Sequence, residues 1–523
     1  MKVFRGLFLV AVLTGCSAPS PTPQTAAVSP TGIREELLLA NALRLPRASP
    51  EALVLAQKVE RMGADLRNSP GSDCQSAYIP YQLLRQMFGA PQGDAPIDAS
   101  LSQIEIYKGF CGLKFPLPRT KDSLAGFDTV IEAYSENPSP VFQNLTLQAL
   151  IGKTLALLTF DPPHTGLGIE VSEKALTLAD TLPNRDLEKL LALTLKVRAL
   201  DIKQPGGTNE TEALVARGLD IANHLTRAQI ADPVEIVPRQ AELLVRSAEY
   251  WRAKGKQADA RAALDRLIAA GTTASNDLTT RYFLVRGLLL RGTLNADSDP
   301  PRWAEAEADY RAARSLPAGE TSIDFYALTH VARVQQARAA AKVSMTAVPD
   351  AKRDLEAMIQ ISTTSLNPVI QRWTAEAYIT LTDFDLMEQP PATEKARGRL
   401  RELERYANWT RSAEMKIFWS VALLKRAKTL RMDASTTPPE ALTLYNQVEQ
   451  WLPTATQTRE RDQLLVQGAI EYAEALLATT PPKREEARQL FGRLEAMFAR
   501  TRTNWRNELL PEVWAAQSRL DLK

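Results

Sequence analysis

Seven segments of this 523-residue chain superimpose on one alanine, and that repetition restricts the possible folds more than any other feature. The anchors are Ala175, Ala260, Ala306, Ala351, Ala396, Ala441 and Ala487, in segments such as ADARAALDRLIAAG, EKARGRLRELERY and EEARQLFGRLEAMF. From Ala260 onward they recur after 46, 45, 45, 45 and 46 residues, and a weaker unit, ETEALVARGLDIANHL, fits near Ala213. Four and seven residues after each anchor the chain is mostly apolar: Leu264 and Leu267, Tyr310 and Ala313, Leu355 and Met358, Leu400 and Leu403, Tyr445 and Val448, Phe491 and Leu494. That spacing lays them along one face of a helix, with a small residue where a second helix comes close. Each anchor helix is preceded by another with its own apolar face, as in AELLVRSAEYWRA, RYFLVRGLLLRG and IFWSVALLKRAKTL. One such hairpin cannot bury both of its faces, whereas a stack buries each against its neighbour.

Proline marks the hairpins. Pro-Pro pairs stand at 300 and 301, 390 and 391, and 481 and 482, each ending five residues before an anchor alanine, with another at 438 and 439. Proline is accepted at a helix start because the amide hydrogen it lacks has no intrahelical partner there. The pairs therefore predict where the second helix of a hairpin begins, and equivalent loops of a stack are expected to form a rim along one edge.

The unit AELLVRSAEYWRAKGKQADARAALDRLIAAG resembles the tetratricopeptide repeat: Ala248 and Ala260 take the small positions, Trp251 the aromatic one and Gly255 the turn. Gly287, Trp303, Ala306, Tyr310, Ala313 and Pro317 fill similar roles in the next unit. The resemblance implies an all-α fold, a right-handed superhelix of about eight hairpins over residues 138–503. It is degenerate, with extra residues between the two helices of each hairpin. Around it we expect an N-terminal helical cap region at 33–137, with helices at Ser49 to Arg67 and Tyr81 to Phe88, and a closing helix within 504–523.

The first residues carry an address. Lys2 and Arg5 precede the apolar run Leu7 to Leu13, which is too short to span a bilayer. Leu13-Thr14-Gly15-Cys16 resembles the lipobox of bacterial lipoproteins. That resemblance implies cleavage of a signal peptide at 1–15, lipid on Cys16, and residence in the cell envelope, on the periplasmic face of an outer membrane where the cell has one. Residues 16–32, rich in proline and free of charge, read as a disordered tether reaching up to roughly 50 Å. Without residues 1–15 the chain has 61 basic and 61 acidic residues, so no overall field favours nucleic acid. Cys74 and Cys111 remain, an even pair in an exported chain; a disulfide between them and two separate buried thiols both stay open.

Catalytic patterns are missing. His164, His224 and His330 stand apart with no metal-ligand spacing, and no phosphate loop, H-E-x-x-H or G-x-S-x-G motif occurs. We expect no cofactor and no enzyme activity. The segment from Lys395 to Arg431 holds eleven basic residues and three glutamates, and all eight tryptophans lie between Trp251 and Trp514. Two readings stay open: aromatics filling the interior beside solvated arginines, or a peptide- or glycan-binding patch. On the second reading Arg397, Arg401 and Arg405, four residues apart on one flank of a helix, act with Trp373 and Trp409 as the partner surface; on the first, Glu402 and Glu404 neutralise the arginines. The function expected is an envelope scaffold or adaptor that binds other proteins, with a glycan- or nutrient-capturing lipoprotein and a cell-wall enzyme as alternatives.

Overall fold

The computed structural model describes residues 30–42, 44–68, 74–93, 95–113, 119–160, 162–204, 208–228, 233–271, 278–316, 323–410, 412, 414–434, 436–455, 457–500 and 503–521. Among them the protein is all-helical, with no strand. Contacts divide it into two compact units, Met1–Leu294 and Asn295–Lys523.

The first unit contains α1 (Pro30–Ala42), α2 (Pro50–Asn68), α3 (Cys74–Phe88), α4 (Pro96–Leu113), α5 (Thr120–Tyr134), α6 (Pro140–Thr159), α7 (Thr165–Thr181), α8 (Asp186–Lys203), α9 (Asn209–Ala228), α10 (Pro233–Ala253), α11 (Gln257–Gly271) and most of α12 (Leu278–Ala296). From α4 to α11 each helix packs on the next. The expected cap region is helical, and besides the two helices expected at Ser49 to Arg67 and Tyr81 to Phe88 it contains α1, α4 and α5. Helix α1 also begins at Pro30, inside the segment expected to be tether. Helix α6 is long and apolar enough to cross a membrane, but 78% of that stretch is buried, and it packs on α4, α5, α7 and α8. Its Gly152 and Gly109 of α4 both face the Phe127 ring of α5; a Cβ at Gly109 would lie 2.6 Å from that ring. Glycine is required here by close approach, and the ring is wedged between two helices.

The second unit contains α13 (Trp303–Ser315), α14 (Ile323–Val343), α15 (Val348–Ser362), α16 (Pro368–Leu386), α17 (Thr393–Thr410), α18 (Met415–Met432), α19 (Pro439–Trp451), α20 (Arg459–Leu477), α21 (Arg484–Arg500) and α22 (Asn504–Asp521). Consecutive helices pack pairwise throughout, and first helices also touch across hairpins, α14 on α16, α16 on α18 and α18 on α20. The anchors behave as their spacing predicts. Ala306, Ala396, Ala441 and Ala487 are fully buried, as are Ala175 and Ala260 in the first unit; Ala351 is half-buried. The apolar residues four and seven positions on are all buried. Ala213 is exposed, however; the buried stripe of α9 is Thr211, Val215, Gly218, Ala222 and Leu225, so that unit's register differs from the expected one.

The proline loops repeat atom by atom. Between α12 and α13, α16 and α17, and α20 and α21, the amides of Arg302, Ala392 and Lys483 donate to the carbonyls of Asn295 (2.9 Å), Asp385 (3.0 Å) and Leu476 (3.1 Å). In each the first proline, Pro300, Pro390 or Pro481, follows a cis peptide bond. The α14–α15 and α18–α19 connections are built differently, the former with a 3₁₀ turn at Met345–Ala347. This loop therefore recurs at every second hairpin, about 90 residues apart, while the anchor alanines recur every 45 or 46. Positions facing each other across these loops vary in chemistry. Asn295 donates to Asp309 (2.9 Å), Arg399 donates to Asp385 (2.6 Å), and the third pair is Leu476 and Leu490, both buried.

Candidate partner-binding surfaces

Successive hairpins are laced by ion pairs roughly one repeat apart. In the first unit Arg198 of α8 forks onto Glu242 of α10 (2.7 Å), and both are nearly enclosed. Burial alone would raise the Glu242 carboxyl, but the charges of Arg198 and Arg246 hold it below the ordinary carboxylate value. In the second unit Arg338 meets Glu376 (2.6 Å) and Arg372 meets Glu414 (3.0 Å) between first helices, while Arg314 meets Asp354 (2.7 Å) between second helices.

The Lys395–Arg431 segment is compensated in the same way. Arg397 donates to Glu394 and to Asp433 (2.7 Å), Arg399 to Asp385 and Glu356, and Arg426 to Glu404 (3.0 Å) and Glu440 (2.7 Å). Arg401 reaches Glu394 (3.1 Å), and the Arg405 guanidinium lies 3.4 Å from the Arg401 carbonyl. Hydrogen bonds from Arg401 and Arg397 hold the Glu394 carboxyl below its usual value. The counter-charges thus come mainly from Glu394 and neighbouring helices, and Glu404 turns to Arg426 instead of the stripe. Of the three arginines Arg397 is held in, whereas Arg401 and Arg405 are exposed on the outer flank of α17.

The tryptophans do not fill the interior. Trp409, Trp451 and Trp514 are 54%, 53% and 52% exposed, and the other five, Trp373 included, are half-buried. Seven of the eight lie in the second unit. Trp409 ends α17, its ring stacked 6.4 Å from Tyr406, and Trp451 ends α19, 5.9 Å from the Trp419 ring. Ile361 at the end of α15 and Leu366 just after it are 57% and 82% exposed. Three consecutive second helices thus end in large uncovered apolar side chains. The opposite ends of the hairpins expose Val343, Met387 and Met432, with no aromatic ring among them. Sequence reasoning singled out Trp373 and Trp409; it missed Trp451, although Trp451 stands at the corresponding helix end.

Other candidate chemistry is sparse. No group of three or more His, Cys, Asp or Glu suited to a metal ion occurs among the described residues. His330 is buried in α14 with Nδ1 2.9 Å from the Tyr326 carbonyl, while His164 and His224 stand far from it in the sequence and lie in the other unit. Cys111 is buried in α4 and disulfide-bonded, and α3, which Cys74 begins, packs along α4. The side chain of Cys74, and Cys16 with the whole signal and most of the tether, lie outside the described residues. No protein-family model matches the chain, and no curated protein matches it either.

Proposed function

We propose that this protein is a lipid-anchored scaffold of the bacterial cell envelope. On this reading it holds protein partners on a right-handed superhelix of about eight tetratricopeptide-like hairpins. The observation that carries the reading is the row of exposed Ile361, Leu366, Trp409 and Trp451 at the ends of consecutive second helices. Large apolar side chains repeated along a surface and left uncovered are what a partner interface uses as anchors, tryptophan above all. Cys16, through its lipid, supplies the membrane attachment, and Cys74 is the partner we assign to Cys111 within the cap region.

The test uses the full chain in the cells that make it. Cys16→Ser should move the protein out of the membrane fraction, since each buried CH₂ of a lipid contributes about 0.8 kcal/mol to anchoring. The wild-type protein, solubilised in detergent, should retain a defined envelope protein that a Trp409→Ala/Trp451→Ala variant of equal melting temperature loses. Equal retention by both, or retention of glycan fragments in place of protein, contradicts the reading.

A further inference from the structure

First helices of the second unit close against one another through charge. Arg338 of α14 meets Glu376 of α16 (2.6 Å), and α16 is joined to the α18 segment twice, by Arg372 with Glu414 (3.0 Å) and by Asp383 with Lys425. The next seam, between α18 and α20, stays open. Lys428 and Arg431 stand on α18 and Glu471 and Glu474 on α20, and among the described residues no ion pair joins them; together they line a cavity of about 440 Å³. Arg431 instead donates to the Glu471 carbonyl (3.3 Å), and the Glu471 carboxylate accepts from Gln467 (3.0 Å). The side chains of Lys428 and Glu474 have no partner among the described residues. Met432, Ala434, Thr436, Thr437 and Ala478 complete the lining. The Thr437 amide donates to the Ala478 carbonyl (3.4 Å), which ties this loop to the end of α20, and the enclosed Thr437 hydroxyl has no hydrogen-bond partner.

We propose that this cavity binds a free α-amino acid with a short aliphatic side chain, its carboxylate on Lys428 and Arg431 and its ammonium on Glu471 and Glu474. The volume lies within the roughly 300–1,000 Å³ of small-molecule sites. Charge then selects the ligand. A simple anion would satisfy the α18 cations only by lying against two carboxylates, and a simple cation would meet the reverse. A zwitterion gives each wall its opposite, through charge-assisted hydrogen bonds about twice as strong as neutral ones. Met432, 51% exposed, together with Ala434 and Ala478 offers the apolar contact for the side chain. The inference is independent of the partner-binding reading, since none of Ile361, Leu366, Trp409 and Trp451 lines this cavity.

Met432 provides the readout. In detergent-solubilised full-length protein carrying ¹³C-methyl methionine, with the signal assigned through Met432→Leu, L-valine should shift the Met432 methyl signal saturably. Isobutylamine, which is valine without the carboxylate, and 3-methylbutanoate, which is valine without the ammonium, should each bind at least ten-fold more weakly. Lys428→Gln and Glu474→Gln, both at exposed positions, should each weaken valine binding at least five-fold and leave the melting temperature unchanged. No saturable shift in the wild type, binding of either single-charge analogue as tight as that of valine, or unchanged valine binding in both variants overturns the proposal. Tighter binding of valyl-valine than of valine overturns the assignment to a free amino acid.

Discussion

Both units enclose charged pairs, but residues up to Leu294 keep their one tryptophan half-buried, whereas residues from Asn295 leave Trp409, Trp451 and Trp514 largely in solvent. The first unit encloses the Arg198–Glu242 pair and wedges Phe127 between Gly109 and Gly152. It holds one tryptophan. The second is braced at intervals by exposed or half-buried pairs, and by two enclosed carboxylates. Asp385 is held by Lys352 (2.7 Å) and Arg399, and Asp462 by Arg461, Arg506 (2.7 Å) and Trp505 (3.0 Å). Where equivalent helices stack, the shared interface carries the stability, and helix ends such as those of Trp409 and Trp451 keep about half of the side chain in solvent.

The comparison breaks most visibly if an enclosed carboxylate is removed. Glu242→Ala in the first unit and Asp462→Ala in the second each remove an enclosed carboxylate from its guanidinium partners, and each should cost about 3–5 kcal/mol. Hydrogen exchange should localise the loss to the unit that carries the change. A loss spread evenly over both would contradict the division. Asp462 shows the sign of the effect with pH. Burial raises its pKa, but hydrogen bonds from Arg506, Arg461 and Trp505 leave it lowered. Its contribution is therefore present above the ordinary carboxylate range and disappears as pH falls through that range towards the folded value.

Helix α14 should show a second, subtler pH effect. Burial pushes the His330 imidazole down to about 4 and the Asp324 carboxyl up to about 6. Between pH 6.5 and 4 the unfolded chain takes up a proton that buried His330 refuses, so this group makes stability fall with falling pH. Over an overlapping range folded Asp324 keeps a proton that the unfolded chain releases, so it makes stability rise. The slopes oppose each other. Asp324→Asn should expose the histidine slope, a loss of about 3 kcal/mol between pH 7 and 4, and His330→Gln the reverse, a gain of about 1–2 kcal/mol. Chemical denaturation at a series of pH values checks both; parallel profiles for the two variants would contradict the assignment.

Gly152→Ala tests the wedge. Its Cβ would overlap the Phe127 ring, and overpacking of this kind costs about 1–3 kcal/mol. Shortening the ring in a Gly152→Ala/Phe127→Leu variant should recover part of that loss in a thermal melt. The smallest effect belongs to the arginine flank. Arg397→Ala/Arg401→Ala/Arg405→Ala should cost no more than about 1 kcal/mol for each ion pair lost, mostly at Arg397, because exposed pairs contribute little. Partner retention should nevertheless weaken in a salt-sensitive way. Unchanged retention at low salt would leave the aromatic helix ends as the whole surface.

The repeat was legible because its anchors alternate with polar faces, and the burial of Leu400, Leu403, Tyr445 and Phe491 follows directly from their spacing. Helix α4 was not, for the opposite reason. In PIDASLSQIEIYKGFCGL nearly every residue from Ile97 to Leu113 is buried, so no polar stripe marks the period. The shifted register of α9 has a related cause: Gly218 takes a close-packing position against Leu243, where a search keyed to alanine passes it over. The arginine flank was visible in the sequence, and so was Glu394, which meets Arg397 and Arg401; Asp433, the other partner of Arg397, stands 36 residues on at the end of α18, where no local pattern reveals it. Trp451 was missed because exposure at a helix end depends on how the next hairpin turns away.

On the proposed reading the uncovered Trp409 and Trp451 at helix ends of the second unit hold a protein partner. The most direct test places a photo-crosslinking amino acid at 409 or 451 in intact cells. Val54 and Leu167 of the first unit, 53% and 52% exposed, serve as controls. The account predicts one defined protein adduct at 409 and 451 and none at the control positions. Adducts confined to 54 and 167, or equal labelling at all four positions, would contradict it.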